Sequence, residues 1–334
     1  MRIGWYVHHH GSGHRTRLSA VRRHLDGVVV LSTLPEPADP AAWIPLARDD
    51  DGEPREATAG GSLHWAPLRH PGLRSRAAAV SAWIERDRPD VMVVDVSIEI
   101  ALLARLHGVP VVLVAQRGIR HDAAHALAYA QASAIAAPWT AATHLPGEGP
   151  PERQLTFTGA VSRFDGEPPP GRPDAGGDVL VLIGAGGHQL RPEDVLAAAR
   201  SAPHRRWHVA GALRTPETTN LIDHGPTAPV LPLLRACSVV VGTAGSNIVA
   251  EVAATRRPFV CLPQPRPFRE QARQAEALRR LGVATVSTRP PRASEWPGLL
   301  ADAEARPTGL WGALHDGRGA SRLATVVRDV ARSA

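Results

Sequence analysis

The chain has 334 residues, 43% apolar and 21% charged, a composition that excludes a disordered protein, and its length leads us to expect two hydrophobic cores. No apolar run approaches the ~20 residues of a membrane span, and the N-terminal segment lacks the apolar stretch and cleavage site of a signal peptide, so a soluble cytoplasmic protein is expected. Formal charge is +6 with every basic residue an arginine, but with 4% aromatics and no basic run interleaved with them, nucleic acid is a poor partner.

In chain order, residues 2–7 read as a strand and 15–25 as a helix with Leu18, Val21 and Leu25 on one face. Strands follow at 28–31, 91–95, 110–115 and 132–137, with a helix at 98–106. Strands this apolar, alternating with helices, indicate a parallel sheet covered on both faces. Residues 35–70, rich in Pro, Gly, Asp and Trp, show no period and read as long loops holding at most a short element. Composition then turns to Pro and Gly, including Pro168-Pro169-Pro170, which places a linker at 161–177 between domains at 1–160 and 178–319. In the second domain, strands are expected at 179–183, 207–210, 239–241, 259–262 and 283–286. Helices are expected at 192–202, from 246, at 270–281 and at 295–306, and a last one at 320–332. The pattern predicts an α/β protein of two doubly wound, Rossmann-like domains facing across a cleft, with ligands beyond the carboxyl ends of the strands.

Charge is unevenly divided: residues 1–160 hold 16 Arg and 16 acidic residues, and 161–334 hold 22 and 16. A basic second half suits a phosphorylated small molecule. Cys237 and Cys261 lie in or beside apolar strands without ligand spacing, so buried thiols are expected rather than a disulfide or zinc site.

The most informative stretch begins at Gly242. An apolar strand runs into Gly242-Thr243-Ala244-Gly245-Ser246-Asn247, and an amphipathic helix starts at once. Such a helix offers unpaired N–H groups and the positive end of its dipole, an anion site that suits a diphosphate. Glu251, one turn further in, could take the two hydroxyls of a ribose. A second glycine loop, Gly184-Ala185-Gly186-Gly187-His188, also follows a strand, and its amides could meet a phosphate; the plainer alternative is a turn with His188 at the surface. Glu270 and Gln271, at a helix start, could exchange hydrogen bonds with vicinal sugar hydroxyls, or could be an ordinary acidic first turn.

In the first domain, His8-His9-His10-Gly11-Ser12-Gly13-His14 leads from the first strand into the first helix, followed by Arg15-Thr16-Arg17. Gly11 and Gly13 allow close backbone approach, with Ser12 and Arg17 in the same loop region. A histidine at a helix N-terminus tends to stay neutral, the form a general base needs, which singles out His14. The dinucleotide-binding spacing is absent, and adjacent histidines on a strand point apart, so a zinc site is not expected. Asp95 closes a buried strand and could orient His14, or could instead cap the helix that begins near Ser97.

Taken together, these residues resemble the two-domain GT-B glycosyltransferases, both the peptidoglycan N-acetylglucosaminyltransferase group and the small-molecule UDP-sugar transferases. The resemblance is strongest over 238–286, extends to 11–17 and to Thr158-Gly159-Ala160-Val161-Ser162-Arg163, and fails over 35–75. It implies an N-terminal acceptor domain, a C-terminal donor domain and a final helix crossing back onto the first. It further implies His14 as acceptor base paired with Asp95, Gly245, Ser246 and Asn247 at the diphosphate, Glu251 at the ribose and Glu270-Gln271 at the donor sugar. Relatives often carry His or Arg at or beside Thr243. The implied reaction is inverting, metal-independent transfer from a UDP- or dTDP-sugar, a co-substrate rather than a cofactor, to a small-molecule or lipid-linked acceptor. The latter would bring peripheral membrane contact without a transmembrane segment. A nucleotide-sugar hydrolase or epimerase of the same fold is the alternative, and a non-catalytic nucleotide-sugar sensor a third reading.

Overall fold

A computed structural model describes residues 1–8, 13–35 and 42–333. The first sheet is built from β1 (Ile3–Val7), β2 (Val28–Ser32), β3 (Ala42–Pro45), β4 (Val91–Asp95), β5 (Val111–Val114), β6 (Ala134–Ala137) and β7 (Leu155–Phe157). Its order is β3-β2-β1-β4-β5-β6-β7, and every pairing is parallel. The second comprises β8 (Val179–Ile183), β9 (Trp207–Gly211), β10 (Leu221–Asp223), β11 (Val239–Gly242), β12 (Phe259–Cys261) and β13 (Ala284–Val286), in the order β10-β9-β8-β11-β12-β13, again parallel throughout. Residues 158–178 run between the two sheets without strand or helix.

The central strands are apolar along their whole length because both faces are covered. Along β1 and β4, Ile3, Trp5, Val7, Val91 and Val93 face one core, while Tyr6, Met92 and Val94 face the other. The helices of the first half are α1 (Gly13–Arg22), α2 (Pro71–Asp87), α3 (Ile98–Leu106) and α4 (Ala123–Gln131). The side chain of Trp83 on α2 reaches β1 only because residue 4 is glycine: a Cβ there would stand 2.7 Å from the indole ring. The second half adds α5 (Pro192–Ser201), α6 (Val230–Ala236), α7 (Ser246–Thr255), α8 (Glu270–Leu281), α9 (Trp296–Ala305) and α10 (Gly319–Ser333).

Although last in the chain, α10 packs on the first sheet. Ala320, Leu323, Ala324 and Val327 share a core with Ile3, Trp5, Val91 and Val93. Arg328 Nη1 donates to the His24 carbonyl at 2.8 Å, and the Ala320 amide to Asp165 at 2.8 Å.

Three helices and three strands add to the sequence expectation: α2, α4 and α6 with β3, β7 and β10. The strand β3 lies in the loop-rich 35–70 region and pairs only at an edge, with β2. The helix α4 (Ala-Ala-His-Ala-Leu-Ala-Tyr-Ala-Gln) is too alanine-rich to show an apolar period, and α6 carries Pro232 inside its first turn. Both cysteines are buried and unpaired; burial pushes the Cys237 thiol up to about 12. No described helix is long and apolar enough to cross a membrane.

Candidate functional site

Where β1 leads into α1 and β4 ends, the structure brings His14 and Asp95 together. His14 Nδ1 lies 2.9 Å from Asp95 Oδ1. Asp95 is fully buried, and Arg17 Nη1 donates to both of its oxygens at 2.6 and 2.7 Å. Gln116 Nε2 adds a fourth bond at 3.2 Å. Burial pushes the Asp95 carboxyl up, but Arg17 and His14 outweigh it and hold the group below the usual carboxylate range. An ionised carboxylate can only accept, so Nδ1 is the protonated nitrogen of the neutral His14 ring, the tautomer whose lone pair is on Nε2.

Arg17, placed by sequence in the acceptor-side loop, is instead a buried counter-ion of Asp95, 4% exposed. Asp95 is not a helix cap. That position belongs to Ser97, whose hydroxyl accepts from the Ile100 amide at 3.2 Å. Between them Val96 holds φ at +65°, a costly conformation for a β-branched residue, directly beside the candidate catalytic carboxylate. Gly11 and Ser12 lie outside the described residues.

Across the cleft, β11 ends at Gly242 and α7 begins at Ser246 with Gly245 as its N-cap. The first-turn amides of α7 have no intrahelical acceptor, and Gly245 has no side chain with which to cap them. Asn247 Nδ2 donates to the Gly13 carbonyl at 3.2 Å, tying the start of α7 to the start of α1. Thr243 is buried behind this turn. The second glycine loop lies alongside: a Cβ at Gly184 would come within 3.7 Å of Ile248 Cδ1 on α7. Arg266 donates to the carbonyls of Gly186 and Gly187, bringing a guanidinium to that loop. His188 turns away, its Nδ1 on the Leu190 carbonyl at 2.7 Å.

The remaining donor-side residues are already engaged. Glu251 is buried, 2.8 Å from Arg163 Nε. Burial raises its pKa and Arg163 only partly opposes this. The Gln271 side-chain oxygen accepts from the Gln264 amide at 2.9 Å, leaving Nε2 near Gly245. Glu270 stands 3.7 Å from Arg120, a residue of the first half.

Arg120 belongs to a group that sequence reading missed. The β12–α8 loop folds over the segment after β5, with Phe268 and Arg269 at φ of +57° and +56° and the Ile119 amide donating to Phe268 O at 2.7 Å. Gly118 permits the approach, since a Cβ there would stand 2.5 Å from Phe268 O. Beneath Phe268, Asp122 accepts from His64 Nε2 at 2.8 Å and His125 Nδ1 at 2.6 Å, and caps α4. The ligating atoms of His64, Asp122 and His125 lie within 4.8 Å of one another, a spacing that could hold a metal ion. Hydrogen bonds account for it here: Asp122 is committed to both rings, and Arg120 Nη1 bonds His125 Nε2 at 3.2 Å. The sequence held one local clue, Asp122-x-x-His125 at a helix start; His64 is 58 residues from Asp122 and gave none.

Two parallel α/β sheets whose carboxyl ends meet across one cleft define the GT-B fold, the fold of two-domain glycosyltransferases. Solved structures of that class match nearly the whole chain. MurG of Acinetobacter baumannii matches at 14% identity and TM-score 0.65, covering 98% of this chain and 100% of its own. The glycotransferase of kitacinnamycin gives 16% and 0.69, covering 98% of each chain. CalG4, the calicheamicin glycosyltransferase, gives 18% and 0.66, covering 99% of this chain and 98% of its own. Likeness at these identities is likeness of fold. No family model and no curated protein matches the sequence.

Proposed function

We propose that the chain transfers a sugar from a nucleoside-diphosphate donor to an acceptor hydroxyl, with inversion and without a metal ion. The observation that carries this reading is the Asn247–Gly13 hydrogen bond, which sets an uncapped helix N-terminus beside the His14–Asp95 pair. In this reading His14 Nε2 takes the proton of the acceptor hydroxyl as its oxygen bonds to the anomeric carbon. The bond from that carbon to the diphosphate oxygen breaks, and its electron pair leaves with the diphosphate. Asp95 stabilises the imidazolium that forms. The α7 amides, the Gly184–Gly187 loop and the Arg266 guanidinium receive the departing charge. Arg266 supplies the positive charge that Thr243 does not.

Glu251 is assigned to the ribose, Gln271 Nε2 and Glu270 to the donor sugar, and UDP or dTDP to the nucleotide. Calorimetric titration with UDP, dTDP and GDP, with and without EDTA, tests the donor site; binding to none of them would remove the reading. His14→Ala is expected to lose about 10²–10⁴-fold in turnover while nucleotide affinity holds. Near-normal turnover would reassign the base. A hydrolase or epimerase would instead release free or isomerised sugar without any acceptor, and a sensor would show neither.

A further inference from the structure

The β12–α8 loop holds two consecutive residues, Phe268 and Arg269, in the left-handed region, where neither side chain is at ease. Such a backbone persists only where its surroundings impose it. Arg269 is also the N-cap of α8, so these two residues set the direction in which Glu270 and Gln271 leave the loop.

What surrounds Phe268 is a socket made by the other half of the chain. The Arg120 guanidinium lies 4.6 Å over its ring, His125 meets it edge-on at 4.9 Å between centroids, and His64 stands at 5.5 Å. First-half hydrogen bonds fix each wall: Asp122 holds both imidazoles, and Arg120 is tied to the Arg117 carbonyl and to His125 Nε2. Below the ring, the Ile119 amide takes the Phe268 carbonyl. Downstream of this seat the Gln264 amide donates to the Gln271 side-chain oxygen at 2.9 Å, which turns Gln271 Nε2 toward Gly245. Glu270 faces Arg120 from the same turn. Upstream, Gln116 bonds Asp95, so residues 116–120 touch the candidate base pair at one end and the loop at the other.

We infer that Phe268 is a positioning residue: seated between His64, Arg120 and His125, it imposes the left-handed turn that places Glu270 and Gln271. That these two receive a donor sugar rests on the transferase reading above; their placement by Phe268 does not. A second-half sugar site is thereby shaped by the first half.

Amide hydrogen exchange on the full chain, resolved by residue, tests this. One undocking of Phe268 releases both the Ile119 and the Gln264 amide, so in the unaltered chain their protection factors should agree to within about threefold. Phe268→Ala should speed exchange at both by about tenfold or more, with β5 and the later turns of α8 as slow as before. Phe268→Tyr, which keeps the ring, should restore protection. Where Phe268→Ala fails to fold, the agreement in the unaltered chain decides alone. Discordant protection there, or an unchanged Gln264 amide in Phe268→Ala, overturns the inference. Faster exchange throughout α8 and β5 also overturns it, because Phe268 is then a general packing contact. UDP, dTDP and GDP titrated into the unaltered chain keep the two readings apart. Concerted protection without binding of any of them retains the positioning role and removes the transferase reading; binding with discordant protection does the reverse.

Discussion

Asp95 carries one charge, and three side chains share it. Arg17 takes both oxygens, His14 one and Gln116 one, all inside a fully buried setting. Removing Arg17 would leave a buried carboxylate with a histidine as its main partner, a change that typically costs about 3–5 kcal/mol. Arg17→Met should therefore lower the denaturant midpoint by a corresponding amount and reduce kcat without altering nucleotide affinity. Glu251 presents the reverse balance, burial being only partly offset by Arg163. In Arg163→Met burial acts unopposed and the carboxyl pKa rises further. Because the carboxylate is present only above its pKa, nucleotide affinity should fall on acidification at a higher pH in the variant, as calorimetry across a pH series would show. At this scale the sequence is legible wherever glycine and strand ends mark a loop: His14, Asp95 and Gly245 stand out that way. It is silent on pairings made by the tertiary fold. Arg17 meets Asp95 across 78 residues, and nothing local to Arg17 or Arg163 marks them as counter-ions.

Among the elements, the start of α7 shows a conflict between stability and binding. A side-chain cap there would satisfy the free amides, yet residue 245 is glycine at φ −67°, a conformation open to any residue. Space is available too: a Cβ would meet Thr243 Oγ1 at 3.6 Å and Gln271 Nε2 at 3.9 Å, ordinary contacts. Gly245→Asp should accordingly stabilise the protein by a few tenths of a kcal/mol, on the order of 0.3 kcal/mol, through capping. It should also weaken nucleoside-diphosphate binding more than tenfold, because the new carboxylate occupies the amides and repels phosphate. A higher melting temperature with unchanged affinity would show that the diphosphate binds elsewhere. Elements with a strong period were readable to the residue, as with β4, β8, α3 and α8. The helices that escaped, α4 and α6, lack a polar face or carry an internal proline. Helix α2 has its start signal, His70 before Pro71, at the end of a segment without rhythm.

For the molecule as a whole, the two halves are joined by contacts contributed from opposite sides of the cleft. Asn247 meets Gly13, Phe268 O meets Ile119, Arg273 Nη2 meets the Pro146 carbonyl at 2.6 Å, and Arg163 meets Glu251. Each of the first three leans on a backbone atom, so sequence alone gave no sign of them, whereas two α/β halves were legible from the alternation of strand and helix. The first half also depends on α10 to cover Ile3, Trp5, Val91 and Val93. A chain ending at residue 318 should expose that face, seen as dye binding, aggregation and loss of cooperative unfolding; a soluble, cooperatively melting product would show that α10 is dispensable.

The same helix sets a schedule for biosynthesis. β7 ends at Phe157 and α10 begins at Gly319, so the ribosome must add the whole second half before the first can be sealed. At ~5–20 residues per second that interval is on the order of 10–30 s, during which the nascent first half presents an uncovered tryptophan-bearing sheet face. Such a chain is a natural client for chaperones that act at the exit tunnel, and slow codons late in its message would prolong the exposure.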